Sequence, residues 1–223
     1  LHEAYQSCWS ATHPEHRGKG IFYSIINEAK TILKNRAAAF IFGFPNVNSH
    51  PIFIKKLGFY EVPLVKVQAP VLAFNATYNL LLKKTSAKEN FNFASAFLIN
   101  EIQQIELKQQ EFGAEVKVYS SYNNSVWGKK RIKSLGGMKL SYFSVGGLII
   151  NKPHLLFHVF MEMIRKEKVH YIELIGASTN SYFEYFKGVK PAPFTEPLIV
   201  FDLNVHTNSS TKFNLFTGIK DVF

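Results

Sequence analysis

The stretch HPEHRGKGIF, His13 to Phe22, decides how the rest of the chain is read. Before it lies YQSCWSAT, Tyr5 to Thr12, where Tyr5, Ser7, Trp9 and Ala11 alternate onto one face as in a strand. After it Ile21, Phe22, Ile25, Ile26, Ala29 and Ile32/Leu33 recur at i, i+4, i+8 and i+11 or i+12. That spacing predicts a helix with one buried stripe, ending near Asn35. Between the two, Gly18 and Gly20 can take backbone angles that other residues avoid, so consecutive N–H groups can converge on one anion. The helix start adds its dipole and free N–H groups, and Arg17 and Lys19 add charge. The loop suits a pyrophosphate; the alternative is a surface turn with two solvated cations.

Working outward, FIFGF (Phe40–Phe44) is a short apolar run, as in a strand covered on both faces, and Pro45 stops it. Asn48 or Ser49 can cap a short helix with Pro51 in its first turn, running to Leu57, and Gly58 is a natural closing residue. Phe59 to Val71 returns as strand, with Pro63 and Pro70 keeping it at an edge or breaking it. Residues 75–111 are polar and mixed, then helical in pattern, and read as a connector. After Gly113 come strands in AEVKVYSSY and KLSYFSVGGLII, a helix in HLLFHVFMEMIRKEK, a strand in HYIELIGAS, a short helix in NSYFEYFKG and a strand in PLIVFDLN. The order strand, helix, strand, helix, strand thus occurs twice, with Asn180-Ser181 where Asn48-Ser49 stands in the first. The second copy has Asn151-Lys152-Pro153-His154 in place of the Arg17–Gly20 loop. The expected organisation is an α/β (α+β) chain of two tandem units, 1–74 and 112–223, joined by 75–111. In each, a strand–helix–strand succession makes a parallel pair, and the strand end before the helix is where an anion binds.

Bulk properties bound the function. Of 223 residues 47% are apolar and 21 are Phe, enough for a packed core. No run of eighteen apolar residues occurs, and LLFHVFMEMI is interrupted by His158 and Glu162, so no membrane span is expected. The N-terminus shows no basic-then-apolar leader, and the chain opens without Met in what already reads as strand, as a piece of a longer polypeptide would. The lone Cys8 excludes an internal disulfide and a Cys-based zinc site; it fits a reducing cytoplasm and is expected to be a buried, inert thiol. His154, His158 and His170 have no carboxylate at ligand spacing, so no metal site is expected. The net charge of +10 attracts phosphates. Yet the basic residues form only short clusters (Lys83-Lys84, Lys129-Lys130-Arg131, Arg165-Lys166), and no zinc-finger or RNA-recognition signature appears, so nucleic acid is not the expected partner.

PEHRGKGIF, followed by an amphipathic helix, GFPN and KKLGF, resembles the GNAT superfamily of N-acyltransferases. Its signature R/Q-x-x-G-x-G/A is matched by Arg17, Gly20 and Phe22, and its later signature by Asn46/Asn48 and Lys56-Leu57-Gly58-Phe59. The resemblance covers roughly residues 5–65. It implies a mixed sheet flanked by helices and an acyl-CoA donor, usually acetyl-CoA. Backbone amides from Gly18 through Lys19, Gly20 and Ile21 to Phe22 would hold the pyrophosphate. Thr12 and His13 would line the pantetheine arm and polarise the thioester carbonyl through a backbone N–H. Asn46 or Asn48 would bond the pantetheine or order water near it. An amine would attack the thioester directly, with no covalent enzyme intermediate.

Three departures matter. Phe22 replaces a small residue, tolerable if its ring turns into the core. Ile54 stands where many members carry a tyrosine that protonates the leaving thiolate, so another acid, water or CoA must serve, or the enzyme is weak or inactive. The family's first strands would precede Tyr5, so either they lie outside the chain or the second unit fills in. His13, His16 and Glu3 are candidates for the base that deprotonates the amine, with His13 nearest the presumed thioester. The expected acceptor is a small-molecule amine, an amino sugar or nucleotide-linked sugar among them. Trp127 and Lys129-Lys130-Arg131 either contact such an anionic acceptor or belong to a solvated loop. Tyr182, Tyr185 and Phe186 either line its pocket or pack in the core. The rival reading is a non-catalytic protein of the same fold that binds a ligand or partner.

Overall fold

A computed structural model describes residues 3–8, 10–71, 116–178, 183 and 191–203. The connector 75–111 and the aromatic residues Tyr182, Tyr185 and Phe186 lie outside them. The described residues divide into two compact units: those up to Leu64 together with the stretch from Phe194, and Val65–Pro193.

The first unit opens with strand β1 (Ala4–Ser7), a 3-10 turn at Pro14–His16, helix α1 (Ile21–Asn35) and strand β2 (Phe40–Gly43). Helix α2 (His50–Leu57) and strand β3 (Tyr60–Val62) follow. β1 pairs parallel to β2, from Ala4↔Phe40 to Ser7↔Gly43. The strand expected to reach Thr12 therefore stops at Ser7. Its partner ends first: past Gly43 the chain reaches Pro45, which has no N–H to donate. Cys8, one residue beyond the strand, is exposed rather than buried.

All four residues of β2 are buried, as a strand covered on both faces requires. Its other neighbour is β10 (Leu198–Asp202), which lies antiparallel between β2 and β3. Leu198, Ile199 and Val200 are fully buried there. Each such side chain contributes about 1.5–3 kcal/mol by leaving water. A strand that follows Val65–Pro193 in sequence thus lies inside the first unit's sheet.

The buried stripe of α1 is narrower than its apolar pattern. Ile26 and Leu33 enter the core, while Ile21, Ile25 and Ile32 stay exposed. Lys30 takes a place in the stripe instead. Its ammonium donates to the carbonyl of Leu57 at the end of α2 and sits over the rings of Phe201 and Phe59. Burial, and secondarily the charge of Lys34, push its pKa below the usual lysine value. Gly58 closes α2 in the left-handed region, φ 69°, where a Cβ would be strained.

Pro63 divides the run Phe59–Val71. β3 ends before it, and β4 (Leu64–Pro70) joins the other sheet. That second sheet has the order β5-β6-β7-β8-β4-β9, with β5 Lys117–Ser121, β6 Asn124–Leu135, β7 Met138–Ile149, β8 Tyr171–Ala177 and β9 Ala192–Pro193. Helix α3 (Leu156–Glu167) connects β7 to its parallel neighbour β8. It buries Leu156, Val159, Phe160 and Met163 among Val126, Phe143, Val145, Ile172 and Leu174.

Only part of the expected element repeat holds: each sheet has a parallel strand–helix–strand pair, but PLIVFDLN, expected to end the second copy, is β10 of the first sheet, and the short helix NSYFEYFKG lies, but for Phe183, outside the described residues. Each unit has a parallel strand–helix–strand pair, then a strand brought from elsewhere in sequence, then a short edge strand: β1-β2-β10-β3 and β7-β8-β4-β9. The first unit is not one continuous stretch of chain.

Trp127 and the Lys129-Lys130-Arg131 cluster are not in a loop, as one of the two readings had it, but in β6. The β6–β7 pairing shifts register at Trp127/Gly128, leaving Gly146 as the extra residue of a bulge. The indole lies across Gly146 and Gly147; a Cβ on Gly146 would stand 2.3 Å from its ring. Gly146→Ala should therefore displace Trp127. In a Trp9→Phe background, which leaves Trp127 alone, it is expected to red-shift the emission and to cost about 1–3 kcal/mol in urea denaturation. An unchanged spectrum and midpoint would mean the indole does not rest on this bulge.

Candidate functional site

The parallel pairing of β1 and β2 sends both chains off the same end of the sheet. The segment 8–20 and the turn 44–49 therefore leave side by side, where ligands of parallel α/β sheets bind. Most of the expected site residues belong to one or the other.

The first segment is braced internally. His16 N–H donates to His13 O (2.9 Å) and Arg17 N–H to Pro14 O (3.2 Å), forming the 3-10 turn. Arg17 Nε donates to Thr12 O at 3.2 Å, so this guanidinium staples the two ends of the loop. Lys19 Nζ lies 3.4 Å from His16 Nδ1, and the His13 and His16 rings are 5.9 Å apart. His13 and the whole stretch Pro14–Ile21 are exposed, and Thr12 is half-buried.

Gly18 and Gly20 both adopt left-handed angles, φ 76° and 75°, and no atom lies within 4 Å of where a Cβ would be on either. Gly20 is the residue at the helix start, and no side chain caps it. The first intrahelical bond is Ser24 N–H to Gly20 O. The amides of Ile21, Phe22 and Tyr23 thus precede the first bond and have no partner inside the helix. They stand at the positive end of the helix, beside two left-handed glycines two residues apart, an arrangement in which consecutive amides can converge on an anion. Phe22 does turn its ring inward, against Phe53 at 5.3 Å edge-on, which leaves its N–H in the loop.

The second element is organised by Asn46. Its Oδ1 accepts from the amides of Asn48 and Ser49 (3.0 Å each) and from Ser49 Oγ (3.1 Å). His50 N–H donates to its carbonyl at 2.9 Å. Asn46 therefore organises the turn that leads into α2, as an Asx turn, while the expected Asn48 or Ser49 side chain makes no cap bond to the helix. The Asn48 side chain is exposed and makes none of these bonds. Ile54 packs on the core with Phe53 and Leu57 and holds no exchangeable proton. Tyr60, on β3, donates its hydroxyl to Asp202 at 3.2 Å. Burial, then the charge of Asp202 and this bond to it, raise its pKa above the usual tyrosine value.

The corresponding loop of the second unit, between β7 and α3, is closed. Asn124, fully buried, accepts at Oδ1 from Asn151 N–H (2.9 Å) and Lys152 N–H (2.8 Å) and donates Nδ2 to Lys152 O (2.7 Å). Pro153 follows and has no N–H. Two amides of this loop, Asn151 and Lys152, are thus already taken by a side chain. Asn124 escaped the sequence reading because it acts from the start of another strand; nothing local marks it.

No protein-family model matches the sequence, and no curated protein matches it. Solved structures do. A conserved protein of unknown function from Enterococcus faecalis V583 matches with TM-score 0.55 at 13% identity, over 89% of this chain and 54% of that one. A GCN5-related N-acetyltransferase from Kribbella flavida gives 0.53 at 10%, over 89% and 52%. Eis1 from Mycobacterium abscessus gives 0.52 at 13%, over 87% and 55%. The chain has a GNAT fold. It spans about half the length of these structures, and at such identities the likeness is one of fold alone.

Seen on the GNAT fold, the signature residues Arg17, Gly20 and Phe22 have three different jobs: staple, left-handed helix start, and core anchor that leaves an amide behind. Among the described residues no group of three or more His, Cys, Asp or Glu could hold a metal ion, and no helix is long and apolar enough to cross a membrane.

The Asn46 turn makes a sharp prediction. Asn46→Ala should cost about 1–2 kcal/mol in urea denaturation, because three donors lose their acceptor. Asn46→Asp, which keeps the acceptor, should cost much less. Equal losses would mean that the side-chain carbonyl is not what organises this GNAT turn.

Proposed function

We propose that this chain binds an acyl-CoA on the loop Gly18–Phe22 and transfers the acyl group, acetyl first among them, to an amine. One observation carries the reading: two left-handed glycines with open space around them stand directly before a helix whose first amides have no partner within it. Any helix start leaves such amides; the two open, left-handed glycines before an uncapped start are what favour a pyrophosphate over a surface turn.

In this reading the amides of Gly18, Lys19, Gly20, Ile21 and Phe22 hold the pyrophosphate, with the Lys19 and Arg17 charges beside them. The donor, when bound, supplies an acyl carbon activated as a thioester. Thr12 and His13 line its arm, and a backbone N–H there polarises the carbonyl. Asn46 has spent its Oδ1 on the turn, so it offers Nδ2, and Asn48 offers its whole side chain. His13 takes the proton of the attacking amine. Ile54 cannot return one to the thiolate, so that proton comes from solvent. The acceptor is a small-molecule amine, with an amino sugar or nucleotide-linked amino sugar as the favoured class. A soluble, cytoplasmic setting fits the donor and the single cysteine.

A second reading, a GNAT-fold protein that binds without turning over, is favoured by one residue, Ile54 in the core. Calorimetric titration with acetyl-CoA separates the cases. The wild-type chain is expected to bind one equivalent in the range of roughly 1 µM–1 mM, since the second unit's loop is closed. Gly20→Glu, which puts a carboxylate and a strained backbone into the nest, should abolish binding. Thiol release with amine acceptors, reduced by His13→Ala, would establish transfer. Binding without thiol release would establish the binding module. No binding by the folded wild-type chain would refute the acyl-CoA site and leave the non-catalytic protein that binds another ligand or partner.

A further inference from the structure

Beyond the core of the second unit, β6 and β7 continue as a two-stranded arm. From Lys129 to Lys139 every residue but the half-buried Lys129 is exposed, while the ladder between the strands stays in register from Lys129↔Ser144 to Leu135↔Met138. The tip is the turn Gly136-Gly137, with φ 55° and 84°, the pair of positive angles that a tight two-residue hairpin demands. An arm of this kind is ordinarily polar, since nothing in its own fold needs apolar side chains there. Here Leu135 and Met138 flank the turn at 56% and 64% exposure, and Ile132 stands behind them at 66%. The same segment, Lys129–Tyr142, carries Lys129, Lys130, Arg131, Lys133 and Lys139 and not one carboxylate.

The two kinds of residue are ordered along the arm. Leu135 and Met138 occupy the end, Lys133 and Lys139 sit one or two ladder positions behind, and Lys129, Lys130 and Arg131 lie at the base. Lys130 is spent on the base itself, donating to the carbonyl of Glu167 at 2.6 Å. At about 3.4 Å per residue, the tip and the outer lysines are separated by less than the depth of a lipid headgroup layer. Apolar end first and cations behind is the order of a bilayer surface met end-on: hydrocarbon, then anionic headgroups. A nucleic acid would reward the cations but gains nothing from Leu135 and Met138.

We propose that the β6–β7 arm docks the protein on anionic membrane surfaces, with Leu135 and Met138 inserting below the headgroups and Lys133 and Lys139 pairing with them. The inference is independent of the acyl-CoA site, which lies in the other unit.

The test is co-sedimentation of the full chain with vesicles of phosphatidylcholine alone or with phosphatidylglycerol added. The chain is expected to bind the anionic vesicles and not the neutral ones. Leu135→Ser with Met138→Ser should weaken binding at least about tenfold, because two apolar side chains leave the hydrocarbon. Lys133→Glu with Lys139→Glu should weaken it as much and reduce its salt dependence. All four positions are exposed, so circular dichroism and thermal midpoint should stay at wild-type values. A chain with a net charge of +10 could adsorb by charge alone, so the serine variant is decisive. If it binds like wild type, the tip does not insert and the proposal fails. It fails equally if no vesicle binds, or if a single-stranded polynucleotide is bound where vesicles are not.

Discussion

The first unit stands on the pairing of β10 with β2 on one side and β3 on the other. Without it, β2 would present an unpaired edge and the buried faces of Phe40, Ile41 and Phe42 to water. Of these, Ile41 packs in one core with α1 and α2, while Phe40 and Phe42 alternate onto the other face of the sheet. Ile199 and Leu203 sit in the same core as Ile26, Leu33, Phe53 and Phe59, so the strand contributes side chains as well as hydrogen bonds. Lys30 draws on it too, since its ammonium lies 3.9 Å from the ring centre of Phe201 while it holds the end of α2. The angle between the two helices of the site is therefore set partly by a strand about 140 residues away in sequence.

What this scaffold positions is mostly backbone. The proposed anion site is made of amides, and the residues around it keep those amides in place. Arg17 closes the loop on Thr12, Phe22 anchors the first turn in the core, and Asn46 fixes the neighbouring turn. The second unit shows the contrary outcome on the same topology. One buried asparagine, Asn124, consumes two amides of the equivalent loop and makes it a structural joint. Whether such a loop can take an anion depends on which groups its N–H donors already serve, more than on the presence of a strand–helix–strand unit.

The sequence made the local features legible and left the long-range ones dark. Helix α1 could be bounded because Gly20 and the 3.6-residue pattern coincide at its start. Gly58 marked the end of α2, and FIFGF marked a doubly covered strand. The stop of β1 at Ser7 was not legible, because it is dictated by where its partner ends. Nor was the role of Lys30, since a lysine in an apolar stripe reads as a boundary of that stripe and not as a member. β6 was hidden because half of it is an exposed arm whose composition is that of a loop. The placement of β10 was out of reach for a different reason: no periodicity within PLIVFDLN says which sheet it enters.

The most direct measurement is amide hydrogen exchange on the full chain carrying Ile199→Pro. Ile199 faces Gly43 in one ladder and Glu61 in the other, and proline can serve neither as a donor. Protection should fall across Phe40–Gly43 and Tyr60–Val62 and persist across Phe143–Val145 and Ile172–Leu174, which belong to the other sheet. Unchanged protection in β2 and β3 would contradict the insertion of β10 and, with it, the account of how the site is held.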